Sequence, residues 1–251
     1  MHLNLDLLER WLSGWSLARG LPLPQRAGGG LVVEVGWPEQ LRRHVFVDAG
    51  AALQACAAQT LQHRVFLKAA VDVETLRHVL PPRWTIERPR YLMSRATPMA
   101  QAAPLPAGYA LTSAIEHGAH IIRIVDAGGQ AVATGGVVLH RGTAIFDRIE
   151  TAPAHRRKGW ASALMSALDV LAGDADRLLV ATAEGRALYL SLGWRELAPY
   201  STAVLAESQP GDDGEHDGGA DVLPAVDPQL PADLLRAFAH AAQPPVSRPF
   251  S

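Results

Sequence analysis

The stretch Phe146-Asp-Arg-Ile-Glu-Thr-Ala-Pro-Ala-His-Arg-Arg-Lys-Gly-Trp-Ala161 constrains the fold more than any other part of the chain. It reads as a strand, a turn holding Pro153, a basic cluster, a glycine and the start of a helix. Within that helix Ala161, Leu164, Met165, Leu168, Leu171 and Ala172 share one face, and Ser162, Ser166 and Asp169 are expected to face outward. A strand feeding a helix through a small-residue turn presents unpaired N–H groups and the positive end of the helix dipole, which suits a phosphate. Gly159 and Ala161 leave room for a ligand to approach the backbone. Taken alone, Arg156, Arg157 and Lys158 could equally be a solvated basic turn. The segment is not a P-loop, because the glycine spacing and the Lys-Ser/Thr pair are missing. With one glycine it is not a dinucleotide fingerprint either.

The rest of the chain alternates in the same manner. Leu7, Leu8, Trp11, Leu12 and Trp15 recur at helical spacing and predict a helix over 3–18, ended by Gly20 and Pro22. Its two tryptophans resemble a binding stripe, although core packing is the commoner meaning of that pattern. Residues 31–36 read as a strand. From His44 follow a strand (45–48), an Ala-rich helix (51–62), a strand (65–71), a short helix (73–79) and a strand near 84–93, an α/β alternation. The segment 97–108, with three prolines, is the expected interdomain connection. Beyond it, strands over 120–125, 131–140 and 144–151 are joined by turns at 126–129 and at Arg141-Gly142, which predicts an antiparallel meander. A helix (160–172), a strand (177–182), a short helix (185–192) and a closing strand through Trp194 and Val204 complete the pattern. Residues 207–219 are acidic and Gly-rich and are expected to be disordered, with a last short helix over 232–242. No internal repeat is visible in the sequence.

Bulk properties narrow the function classes. A chain of 251 residues with 48% apolar and 19% charged side chains can bury its own core without metal or disulfide. A net charge of −2 argues against a nucleic-acid or membrane-surface partner. Cys56, the single cysteine, lies in an Ala-rich stretch with no polarising neighbour and reads as a buried, inert thiol. Asp6 and Glu9 among the first leucines do not suit a signal peptide, and no apolar run approaches the ~20 residues of a membrane span. A cytoplasmic location is therefore expected. Among ten histidines, His117 and His120 with Glu116 form the nearest approach to a metal cluster, but no second cluster completes it, so no metal is expected.

Arg156-x-x-Gly159-x-Ala161 resembles the pyrophosphate-binding signature of the GNAT (GCN5-related N-acetyltransferase) superfamily, Gln/Arg-x-x-Gly-x-Gly/Ala. It follows Thr151-Ala-Pro153, much as Val-x-Pro precedes it in that family. About thirty residues on, Ala187-Leu-Tyr-Leu-Ser-Leu-Gly-Trp194 is similar to the family's Leu-Tyr-x-x-x-Gly-Phe ending. The resemblance covers roughly 120–205. It implies an α/β (α+β) fold with a central mixed, mostly antiparallel sheet flanked by helices, preceded by an N-terminal α/β region. The implied division is residues 1–97, the N-terminal region or a degenerate GNAT-like half; 98–206, the acetyltransferase domain; and 207–251, a linker and short helix. It further implies acetyl-CoA as cosubstrate, with Ile149, Glu150 and Thr151 along the pantetheine arm. The amides of Arg157, Lys158, Gly159, Trp160, Ala161 and Ser162, beside Arg156, would wrap the pyrophosphate. The family's first strand and following helices are not recognisable directly ahead of His120, a departure from its usual layout.

Acetyl transfer to an amine needs a freed lone pair, support for the oxyanion and a proton for the departing thiolate. By the resemblance, Tyr189 would supply that proton and also adjoin the cofactor. Asp147 is the first candidate base and Glu150 the second, although strand alternation sends them to opposite faces unless a bulge intervenes. Arg148 is the expected ion-pair competitor for Asp147. Thr182 stands where the family often has Asn. The expected acceptor is a small-molecule amine or amino-acid-like compound, and a homodimer is compatible with this reading. The alternative is a non-catalytic acyl-CoA-binding or sensory module.

Overall fold

In the computed structural model, which describes residues 2–100 and 103–205, the alternating segments join one twelve-stranded sheet. The expected disordered stretch 207–219 and the helix over 232–242 lie outside the described residues. The first half of the chain forms α1 (Leu5–Leu17), β1 (Gln25–Ala27), β2 (Gly30–Glu34), β3 (Arg42–Phe46), α2 (Ala51–Gln59), β4 (Val65–Ala69), α3 (Val73–Val79), β5 (Thr85–Ile86) and β6 (Arg90–Arg95). The second half forms β7 (Ala110–Glu116), β8 (Ala119–Val125), β9 (Ala131–His140), β10 (Thr143–Thr151), α4 (Trp160–Ala172), β11 (Asp176–Thr182), α5 (Ala183–Ser191) and β12 (Arg195–Leu205). The expected three-strand meander thus has a fourth member, β7, that the sequence pattern did not single out. It is an edge strand with only Ser113 buried, so it carries little of the alternation by which strands are recognised.

The order across the sheet is β1-β2-β3-β4-β12-β6-β11-β10-β9-β8-β7, with β5 pairing β12 at the side. Two parallel pairs, β3 with β4 and β10 with β11, mirror one another across the centre; every other neighbouring pair is antiparallel. Each half runs hairpin, helix, parallel strand, helix, final strand. The final strands are exchanged: β6 pairs with β11 of the second half, and β12 pairs with β4 of the first. The repeat that residue identities conceal is therefore present in the topology. The division expected at 97/98 passes through this exchange, since β6 lies between β11 and β12.

Adjacent strand residues point to opposite faces, and the cores follow that rule. Phe146 and Met93 pack with α4, whereas Ile145 and Leu92 pack with α1. Helices α2 and α3 cover the first half on the α4 side through Leu53, Ala57 and Leu76. Among the described helices α1 alone covers the other face. Asn4 caps it by accepting from the Leu7 amide at 2.8 Å, and its Leu and Trp face, including Trp11 and Trp15, is core. The helix lies close over β9 and β10 because residue 14 is glycine; a Cβ there would stand 2.5 Å from Cδ1 of Ile145. An N-terminal helix therefore covers the meander face for which no helix stands directly ahead of His120.

Asp169 is a correction. Expected on the outer face of α4, it is buried, where its carboxylate pairs with the fully buried Arg177 guanidinium and accepts from the Met99 amide at 2.7 Å. Arg177 also donates to the carbonyls of Ala175 and Gly173 at 2.7 Å. The charge is tolerated inside because Arg177 makes four hydrogen bonds and both Asp169 oxygens accept. This pair ties the C-terminal end of α4 to the start of β11.

Candidate functional site

The second half contains a parting between parallel strands that the first half lacks. β10 and β11 pair only from Thr143↔Asp176 to Ile145↔Leu178. Beyond that point the β11-facing edge of β10 has no strand neighbour among the described residues. In the equivalent place β3 and β4 stay paired to Phe46↔Ala69. Two features force the parting. A bulge interrupts β10 between Asp147 and Glu150, where Arg148 takes φ +53°, and the Asp169–Arg177 pair holds the other end of the unit shut.

The bulge also decides which way the acidic side chains face. With one extra residue on β10, Asp147 pairs with Gly136 and Glu150 with Thr134. These partners lie two apart on β9, so Asp147 and Glu150 share a face instead of opposing one another. Asp147 is partly buried and forms an ion pair with Arg19, which follows α1. The expected competitor, Arg148, instead donates to the Ala18 carbonyl at 3.2 Å and approaches Glu116 at 3.9 Å. Glu116 is further held by Arg123 at 3.0 Å, so it is not available to the His117 and His120 pair. Glu150 is exposed.

Below the parting, the chain passes through a short 3₁₀ turn (Pro153–His155) into the basic loop. Arg157 takes φ +63° and Gly159 φ +84°, so consecutive amides turn toward a common side in a nest-like curl. The amides of Arg157, Lys158, Gly159, Trp160, Ala161 and Ser162 donate to no acceptor among the described residues. Gly159 is the N-cap of α4 and has no side chain to satisfy them. Its positive φ is one that L side chains rarely adopt, yet a Cβ there would meet nothing within 4 Å. Arg156 donates to the Thr151 carbonyl at 3.3 Å and Lys158 to the Ala154 carbonyl at 3.0 Å, while both side chains stay exposed. Trp160 anchors the loop instead of lining it: it is buried against Tyr109, ring centroids 4.3 Å apart.

The first half differs at this turn. At the corresponding turn between β3 and α2, the Asp48 carboxylate accepts from the Gly50 amide at 2.8 Å. A carboxylate thus stands beside that helix start, where the second half has Arg156, Arg157 and Lys158.

Tyr189 projects from α5, which Thr182 caps by accepting from the Gly185 amide at 3.0 Å. That capping bond is the role of Thr182 here. Tyr189 is 7% exposed and packs against Trp194, but its hydroxyl has no hydrogen-bond partner among the described residues. Burial, and after it the negative charge of Asp147, raise its pKa well above the ordinary phenol range. It is therefore a protonated donor. Cys56 is only half-buried, and burial raises its thiol pKa, in keeping with an unreactive side chain. Arg19 was not among the expected site residues. Its position just after the Trp11/Trp15 stripe was visible, but the partner 128 positions away was not.

Comparison with known proteins agrees with this geometry. The family model described as an acetyltransferase (GNAT) domain matches residues 117–196. The structure is similar to a GCN5-related N-acetyltransferase from Kribbella flavida, with TM-score 0.57 and 15% identity, over 84% of this chain and 97% of that one. A GNAT-family protein from Novosphingobium aromaticivorans gives TM-score 0.52 and 17% identity, over 80% of this chain and 99% of the other. A functionally unknown conserved protein from Staphylococcus epidermidis gives 0.55 at 8% identity, over 80% and 96%. At such identities the likeness is one of fold. No curated protein matches the chain. No helix among the described residues is long and apolar enough to cross a membrane. Residues 117–196 thus match a GNAT acetyltransferase domain, and the parted strands and basic loop of the second half lie within that match.

Proposed function

We propose that the protein transfers an acetyl group from acetyl-CoA to the amine of a small-molecule acceptor. The observation that carries this reading is the parting of β10 and β11, which β3 and β4 do not share, beside a basic helix start whose six amides have no partner among the described residues. Unsatisfied N–H groups at a helix N-terminus favour phosphate oxygens, and the free edge of β10 through Ile149, Glu150 and Thr151 offers main-chain groups to an amide-bearing arm. Bound there, the cosubstrate would supply an activated acetyl thioester.

The chain's own groups account for the proton movements. Asp147 lies on the face of β10 covered by α1 and takes a proton from the acceptor amine, Arg19 fixing its orientation. Tyr189, neutral and without a partner, gives a proton to the leaving sulfur. Glu150 is too exposed to be held in one place and is the second choice of base.

Thermal denaturation with added acetyl-CoA, paired with thiol release against an amine panel, tests the reading. Acetyl-CoA should raise the midpoint with concentration because it binds only the folded state. Gly159→Glu should abolish the rise, since it sets a carboxylate where the phosphates belong. An undiminished rise in that variant would remove the assigned site. A rise without turnover on any amine would favour a non-catalytic acyl-CoA-binding module.

A further inference from the structure

On the α1 face, next to Asp147, lies a second group of polar side chains that the transfer chemistry does not use. Arg43 of β3 is buried, with its guanidinium carbon 3.6 Å from the centre of the Trp15 ring. The Arg19 guanidinium, which holds Asp147, is 4.6 Å from the same ring. One tryptophan therefore links Arg43 to the candidate base. Arg43 donates from Nη2 to Gln40 Oε1 at 3.0 Å, yet its Nε is buried without a partner, as is Nε2 of Gln40. Lys68 of β4 stands near it, with Nζ 5.9 Å from the Tyr200 ring and, among the described residues, bonded only to Thr202 Oγ1 at 2.7 Å. The Tyr200 hydroxyl, also buried, has no partner.

No carboxylate among the described residues lies within ion-pair distance of Arg43 or Lys68. Asp147 acts on Arg43, and the exposed Glu87 on both cations, only at longer range. Holding a buried and a half-buried cation with several buried donors and no close anion is unfavourable, and such sites are ordinarily paired. Burial lowers the Arg43 pKa to about 10 and takes Lys68 well below the usual lysine range, in keeping with two cations that lack a close counter-ion. Binding an anion would reverse that deficit.

Resting on the acetyltransferase reading, we propose that the acceptor carries an anionic group, carboxylate or phosphate, received between Arg43 and Lys68 beside Tyr200. Its amine would then extend past Trp15 toward Asp147. The acceptor is in this view an amino acid or an aminoalkyl phosphate, not a simple polyamine or an uncharged arylamine.

The test uses the full chain, with N-acetyl amino acids, their primary amides and N-acetyl aminoalkyl phosphates as product-like probes. Binding is followed by tryptophan fluorescence and by thermal shift. Anionic probes should bind about tenfold or more tightly than the matched amides. Either Arg43→Met or Lys68→Met should erase that discrimination while the acetyl-CoA-induced shift persists. A phosphate probe outcompeting the carboxylates would identify the anion as phosphate and still support the site. Equal binding of acids and amides, no binding of any anion, or discrimination that survives both variants would overturn the proposal. The acetyl-CoA shift reports separately on the donor site, so failure of the acceptor proposal and failure of the acetyltransferase reading give different results.

Discussion

Arg19 and Asp147, separated by 128 positions, form an ion pair that ties the end of α1 to the bulged strand of the candidate site. Their side chains are 14% and 21% exposed, so solvent screens the pair only in part. A double-mutant cycle with Arg19→Met and Asp147→Asn should return a coupling of about 0.5–2 kcal/mol in denaturant unfolding. Additive effects would show that the contact contributes nothing to the docking of α1.

The same aspartate should affect turnover. Asp147→Asn is expected to slow acetylation most below the acceptor amine's pKa, where a base must free the lone pair. Above that pKa the deficit should shrink, because solvent has already removed the proton. A deficit constant across pH would argue for a positioning role instead.

Tyr189→Phe removes one unpartnered hydroxyl and keeps the ring against Trp194. Turnover should fall on the order of 10²–10⁴-fold, with the acetyl-CoA-induced thermal shift unchanged. Burial and the charge of Asp147 raise the phenol's pKa, so its acid form persists to higher pH than an ordinary tyrosine's ~10. Any alkaline limb that Tyr189 contributes to the rate should accordingly lie above pH ~10. A variant as fast as the parent would exclude the hydroxyl from the mechanism.

The strand exchange makes the halves interdependent. A fragment beginning at residue 98 lacks α1 and β6, so β11 and β12 lose the strand between them and the α1 face of Ile145 and Leu178 is stripped bare. Such a fragment should be insoluble or unfolded by circular dichroism. A soluble, folded fragment that still responds to acetyl-CoA would show that the second half is autonomous.

Gly14→Ala sets two effects against each other. Alanine in a helix interior is favoured over glycine by about 0.5–1 kcal/mol. The new methyl would press into the rigid Cβ and Cγ1 of Ile145 as well as its Cδ1, at 3.0, 2.6 and 2.5 Å. Overpacking of that kind costs about 1–3 kcal/mol, so the clash should win. A higher urea midpoint in the variant would contradict the close helix–strand contact.

Residue spacing alone determined the strand–loop–helix unit, because period and punctuation are local: β9, α3 and α4 have the bounds that their patterns imply. It also determined the turn into α4, since Gly159 at φ +84° carries its conformational preference in its own chemistry. Tertiary structure alone decided the rest. The bulge at Arg148 turned Glu150 to the side of Asp147, an outcome that alternation by itself would have reversed. Arg177 made a buried residue of Asp169. The exchange of β6 and β12, the Arg19–Asp147 pair and the meeting of Arg43 with Trp15 depend on which strands lie side by side. Long-range pairing of that kind arises from burial shared between distant segments, and neither period nor punctuation encodes it.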